Sequence, residues 1–178
     1  NVKPLHPGNR IKAENNEIVN HITSIIEENK ETIKTLPGTL HNPVKDTFIS
    51  ILISIYSFEF LGKKAETGKS SKWVKNPTRE EVRKYIQSKD KFQNAIEEAL
   101  DLFINNEKFK YSYIFKLLVI MLYRYNEDNI EMYKIELQKA LIICTQQEDF
   151  GNARNNGSKK DMINAIRQIE MQLSKNRD

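Results

Sequence analysis

The sequence predicts an all-α domain, a single compact bundle of about seven helices in an orthogonal or up-down arrangement, and three observations carry that prediction. Helix breakers are few, 6 Gly and 5 Pro in 178 residues, and they gather at a handful of positions. Between them apolar residues recur at three- and four-residue spacing, the period of a helix with one buried face. No segment is left over that reads as a strand, so there is nothing to build a sheet.

The opening residues 1–11 carry Pro4, Pro7 and Gly8 without an apolar period and read as a flexible, extended arm. Residues 12–178 read as one helical domain with a basic loop at 62–77. Ile18, Val19, Ile22, Ile25, Ile26, Ile33 and Leu36 lay one stripe along a first helix, which Pro37 and Gly38 end. Asn42-Pro43 supplies an N-cap followed by proline at the first helical position, and a helix over 44–61 comes next. In it Phe48, Ile49, Ile51, Leu52, Ile53, Ile55, Tyr56, Phe58, Phe60 and Leu61 point almost all round, as befits the centre of a bundle. Its β-branched content makes a buried strand the competing reading, but the run exceeds the roughly 3–10 residues of a strand.

Residues 62–76 are polar, rich in Lys and Ser, and hold the only tryptophan, Trp73; they form the longest internal loop. After Pro77, Thr78-x-x-Glu81 is a capping-box pattern. It starts a short helix with Val82, Tyr85 and Ile86 inward, ending near Ser88. Asp90 is placed to cap the next helix, whose Phe92, Ala95, Ile96, Ala99, Leu100 and Phe103 form an amphipathic stripe up to the turn at Asn105-Asn106. A helix over about 107–125 carries Tyr113, Ile114, Leu117, Leu118, Ile120 and Met121 and is apolar enough to be central too. After a break at 126–129, residues 130–147 repeat the period through Tyr133, Leu137, Ala140, Leu141 and Cys144. A loop over 148–157 leads to Ser158-x-x-Asp161, which caps a last helix with Met162, Ile163, Ile166, Ile169 and Leu173.

Composition narrows the function classes. With 39% hydrophobic and 29% charged residues the chain suits a folded domain rather than a disordered one. Cys144, the only cysteine, has no partner for an internal disulfide and lies in an apolar run, which points to a reducing, cytoplasmic setting. Asn1 stands where an initiator Met would, as at the edge of a processed fragment. The apolar run over 48–61 is broken by Ser50, Ser54, Ser57 and Glu59 and is too short to cross a bilayer. Net charge is +4, yet ten Lys or Arg against four acids crowd into 63–91, leaving the remainder acidic.

Motifs of enzymatic chemistry fall short on spacing. Gly62-Lys63-Lys64-Ala65-Glu66-Thr67-Gly68-Lys69-Ser70 approaches a phosphate-binding loop, but it has five residues between its glycines instead of four, and no helix comes directly after it. His6, His21 and His41 lie on an arm, a helix and a turn without a further ligand at metal spacing, so no metal or cofactor is expected. Cys144 has no basic neighbour to activate it. Glu97-Glu98 and Glu127-Asp128 read as solvated acids, and the sequon at Asn156-Gly157-Ser158 comes without a sign of secretion.

Phe150-Gly151-Asn152-Ala153-Arg154, succeeded by a helix containing Ala165-Ile166-Arg167, resembles the helical lid of AAA+ ATPases over roughly the last thirty residues. The resemblance implies an arginine, Arg154, turned toward a nucleotide; the four extra residues 155–158 stretch its spacing. Leu137-x-x-Ala140-Leu141 is similar to the second helix of one tetratricopeptide unit.

The loop and the helix after it place Lys63, Lys64, Lys69, Lys72, Lys75, Arg79, Arg83 and Lys84 close in sequence, with Trp73 and Tyr85 among them. Cations at this density suit an acidic protein partner, and an aromatic face among them suits stacking on an unpaired RNA or DNA base. The expectation is therefore a non-enzymatic interaction or assembly module, open to homo-oligomerisation, that presents this basic surface to an acidic protein. The alternatives are nucleic-acid binding by the same surface and an accessory part of a nucleotide-handling enzyme.

Overall fold

Side-chain caps and breakers set where each helix begins and ends. The computed structural model describes residues 5–125, 128–152 and 158–177. They form α1 (Pro7–Lys12), α2 (Glu17–Glu28), α3 (Lys30–Ile33), α4 (Thr47–Leu61), α5 (Arg79–Ile104), α6 (Ser112–Arg124), α7 (Ile130–Cys144) and α8 (Lys159–Arg177). A 3₁₀ segment spans Thr67–Val74, and a shorter 3₁₀ turn Phe150–Asn152. The fold is all-α, with about seven substantial helices in a compact arrangement and no strand among the described residues.

Four caps do what their residue types allow, each side-chain oxygen accepting an otherwise orphaned amide of the first turn. Asn16 accepts from Val19 at 3.0 Å, Thr78 from Glu81 at 3.1 Å, Asn129 from Met132 at 3.1 Å and Ser158 from Asp161 at 3.2 Å. Asn42 behaves differently. Its side chain accepts the amides of Val44 and Lys45, at 3.1 and 3.2 Å, so it builds a turn, and α4 starts only at Thr47 after Asp46 in a left-handed conformation.

Besides the split of the expected first helix at Asn29 into α2 and α3 and the 3₁₀ helix within the expected loop, two elements depart from the sequence expectation. From Pro7 the chain is helical and packed rather than an extended arm, with Ile11 fully buried. Glycine makes this possible: a Cβ at Gly8 would lie 2.1 Å from the Asp46 carbonyl oxygen and 2.6 Å from that of Lys45, so α1 seats against the turn before α4 only without one. The second departure is α5, a single helix of 26 residues where two were expected. Residues 87–91 are polar but contain neither Gly nor Pro, and Phe92 falls seven residues after Tyr85, on the same buried face.

α4 and α6 are buried nearly all round and pack on each other. α5 lies against α6, α2 against α5 and α4, and α7 against α8. The serines of α4 enter this apolar centre by bonding within the helix: Ser54 Oγ donates to the Ile51 carbonyl at 2.6 Å and Ser57 Oγ to that of Ser54 at 2.9 Å. Tyr56, Phe60, Tyr85, Phe92 and Tyr123 form one aromatic cluster joining α4, α5 and α6, with neighbouring ring centroids 5.4–6.1 Å apart.

Candidate functional site

The basic segment after α4 begins outside any helix over 62–66 and continues as a 3₁₀ helix kinked at Lys69, so its shape depends on what holds it from beneath. Gly62, at φ 64°, ends α4 and turns the chain outward. Ser57 Oγ, sharing its one proton between the Ser54 and Lys64 carbonyls, lies 2.7 Å from the latter, and Asn16 Nδ2 donates to the Val74 carbonyl at 2.8 Å. Between these pins Ala65, Ser70 and Val74 are fully buried. The strongest support comes from α6, where buried Lys116 donates to the Ala65 carbonyl at 2.6 Å and to Thr67 Oγ1 at 2.8 Å. The segment is therefore a packed, bonded shelf.

Burial sets the electrostatics of that support. Desolvation pulls the Lys116 ammonium down to about 8, against a smaller opposing pull from the Glu66 carboxylate. A lysine whose folded value lies below its unfolded one leaves the unfolded chain with more bound protons between the two, so its contribution to stability rises with pH across that window. The stability of the wild-type chain relative to Lys116→Met is expected to rise by about 3 kcal/mol between pH 7 and 10. Urea titrations of both proteins at each pH check this; a constant difference sinks it. The neutral amine keeps donors for both oxygens, so the shelf survives the change.

Every cation of the proposed site is exposed: Lys63, Lys64, Lys69, Lys72, Lys75, Arg79, Arg83 and Lys84. They are not equivalent. Arg83 grips the Glu80 carboxylate at 2.7 Å and Lys84 lies 3.9 Å from it, so both are partly neutralised on their own helix. Among the described residues, Lys63, Lys64, Lys69, Lys72, Lys75 and Arg79 have no carboxylate partner. Trp73 is half-buried and packed on the core, and its ring is already engaged: the Lys72 ammonium lies 4.5 Å from the ring centroid and that of Lys63 5.9 Å. Tyr85 is fully buried and bonded through its hydroxyl to His21 Nδ1 at 2.6 Å, so it belongs to the core, not the surface.

Beside the shelf, Pro77, Val82 and Ile86 line an open groove of about 460 Å³, edged by Arg79, Arg83 and Glu17. Charge and apolar area thus meet at the start of α5.

Comparison of the chain with protein-family models, with curated proteins and with solved structures finds no match.

The remaining motifs take their places around this surface. Ser70, which a phosphate loop would turn toward a metal-bound nucleotide, is buried and donates to the Thr67 carbonyl at 2.8 Å. Gly68 leads into the rest of the 3₁₀ segment, not into an α-helix. Arg154, Glu127 and the Asn156-Gly157 part of the sequon lie outside the described residues. Burial lifts the Cys144 thiol to about 11, which keeps it protonated and inert at neutral pH. No three His, Cys, Asp or Glu side chains gather as metal ligands among the described residues, and none of the helices described is long and apolar enough to cross a membrane.

Lys116 went unmarked in the sequence, although a signal exists: it is the one charge inside the apolar run of 113–122. Lys134 is similar. It is nearly buried on α7 and meets Glu98 at 2.6 Å, Asp101 at 3.1 Å and Glu131 at 3.6 Å. Burial opposes its charge, and the Glu98 and Asp101 carboxylates more than restore it, raising the ammonium above its ordinary value. Lys134 therefore fastens α7 to α5, whereas Lys116 supports the shelf.

Proposed function

We propose that the chain is a non-enzymatic helical interaction module, working in a reducing compartment such as the cytoplasm, whose basic surface over 62–91 docks an acidic protein. The observation that carries this is the set of six exposed cations without a carboxylate partner among the described residues, five of them on a shelf fixed by buried bonds and Arg79 at the start of α5. Unneutralised charge on a pre-ordered surface draws an oppositely charged partner at long range and loses little conformational freedom when it docks. The groove of Pro77, Val82 and Ile86 offers an apolar anchor next to those charges. Nucleic-acid binding is the second reading, favoured by Trp73 among the lysines; Lys72 over the ring speaks for the protein partner, since a stacking base would have to displace it.

The test measures binding of poly-glutamate and of a single-stranded oligonucleotide to the wild-type chain and to Lys69→Glu/Lys72→Glu/Lys75→Glu. Association with poly-glutamate is expected to slow by about 10- to 1,000-fold in the triple variant at low salt, with the two proteins converging at high salt. Unchanged association overturns the docking surface. Tighter binding of the oligonucleotide, with a steep salt dependence and a loss on Trp73→Ala, replaces the acidic protein by nucleic acid.

A further inference from the structure

The half-buried imidazole of His21 on α2 sits in a hydrogen-bond chain whose direction is set from one end. There Gln93 Nε2 lies 2.9 Å from the Glu28 carboxylate. A carboxylate only accepts, so the amide turns its NH2 group to Glu28 and its oxygen to His21 Nε2, 3.1 Å away. Nε2 therefore carries the ring proton, Nδ1 is the acceptor, and the Tyr85 hydroxyl 2.6 Å from it donates. The chain runs in one sense, from Tyr85 through His21 and Gln93 to Glu28, and fastens α2 to α5. A proton added at Nδ1 breaks this order. Nδ1–H would donate to the Tyr85 oxygen, and the Tyr85 proton would have to turn into the aromatic cluster, where that fully buried hydroxyl has no second partner among the described residues. Tyr56, whose ring centroid lies 5.6 Å away on α4, has a buried hydroxyl that is itself unpaired and not bonded to Tyr85. The reversal thus leaves a second unpaired hydroxyl in the apolar centre.

We propose that the docking of α2 is sensitive to acid: uptake of a proton by His21 loosens α2 from α5 and, through Asn16 at its N-cap, loosens the basic shelf. Asn16 joins the two because its side chain both caps α2, accepting the Val19 amide at 3.0 Å, and donates to the Val74 carbonyl of the shelf at 2.8 Å. The surroundings of the ring agree with the bonding. Burial holds the imidazole below its ordinary value against the bond to Gln93; Lys89 of α5 acts with burial, and Asp90 of α5 and Glu28 of α2 act against it. The other helices packed on α2, α1, α3 and α4, bring no charge that acts on the ring among the described residues. A histidine held low when docked binds fewer protons than the same histidine released, so docking weakens as pH falls through the released value. Lys116, which titrates near 8, stays charged below neutral pH and adds nothing to this change. The inference concerns the order of the shelf and stands whatever docks there.

Hydrogen exchange of the whole chain, read amide by amide at about pH 7 and 5.5 and expressed as protection so that the intrinsic pH dependence cancels, tests this. Amides of α2 should exchange through an opening of their own, with less protection than those of α6. That protection is expected to fall by about 3- to 8-fold on acidification, the upper figure being the limit for one imidazole that titrates at 6.5 once released. In His21→Gln the protection of α2, whatever its level, should no longer follow pH. In Asn16→Ala α2 should still follow pH while the 3₁₀ segment over 67–74 ceases to. Nitrogen-15 NMR of the His21 ring should place its proton on Nε2 at pH 7. A constant protection of α2, exchange of α2 through global unfolding alone, a fall that persists in His21→Gln, or a ring proton on Nδ1 overturns the proposal. A 3₁₀ segment that still follows pH in Asn16→Ala overturns its coupling to α2.

Discussion

Phe92→Ala is expected to lower the unfolding free energy by about 3–5 kcal/mol, because it empties the middle of the aromatic cluster. Phe92 is fully buried on α5, with ring centroids 5.4 Å from Phe60, 6.0 Å from Tyr123 and 6.1 Å from Tyr85. All three contacts are edge-on, with interplanar angles of 76°, 90° and 78°, an arrangement that favours aromatic pairs beyond the area they bury. Truncation removes apolar transfer energy and leaves a void that rigid neighbours on three helices cannot close. Urea unfolding followed by far-UV circular dichroism measures it, with Val44→Ala as the control: Val44 is 75% exposed, so its truncation should fall within about 0.5 kcal/mol. A loss below about 1 kcal/mol at Phe92 would show that the cluster repacks.

Gly8→Ala has a sign opposite to what helix propensity alone gives. Alanine in place of glycine in a helix favours folding by about 1 kcal/mol. Here the new methyl group would sit 2.1 Å from one backbone oxygen and 2.6 Å from another, and backbone cannot swing aside as a flexible side chain can. The net result is expected to be a destabilisation of about 2–4 kcal/mol. The helix would lift from the turn at 45–46, exposing Ile11 and releasing the Lys12–Asp46 pair at 2.8 Å. Hydrogen exchange should then quicken in α1 while α4 and α6 keep their protection. Stabilisation by the substitution would falsify the close approach.

The contrast between these two residues explains what was legible in the sequence. Phe92 is visible as a stripe residue because helical periodicity is local. The caps at Thr78 and Ser158 depend on amides within three residues and are read in the same way, whereas those at Asn16 and Asn129 went unmarked although their signal is as local. Gly8 answers to backbone nearly forty positions away, so composition alone makes it a sign of an extended arm. Lys116 supports a carbonyl 51 residues before it, and no local pattern announces such a bond. The polar stretch over 87–91 misleads in the other direction. It interrupts the apolar pattern without interrupting the helix, since nothing in it breaks backbone bonding. At the basic surface, exposure of the cations follows from their type, whereas the neutralisation of Arg83 and Lys84 by Glu80 follows from helical spacing and separates them from the other six.

Trp73 is the sole indole of the chain, so its near-ultraviolet emission comes from a single place, the edge of the basic shelf. Its contact with the core makes that emission sensitive to unfolding, and the Lys72 ammonium 4.5 Å from the ring centroid makes it sensitive to charge. An acidic surface that recruits Lys72 would pull the cation away from the ring and change the emission without altering the fold. Occupancy of the shelf can thus be followed optically in the unlabelled protein, and docking told apart from denaturation by whether the helical signal moves with it.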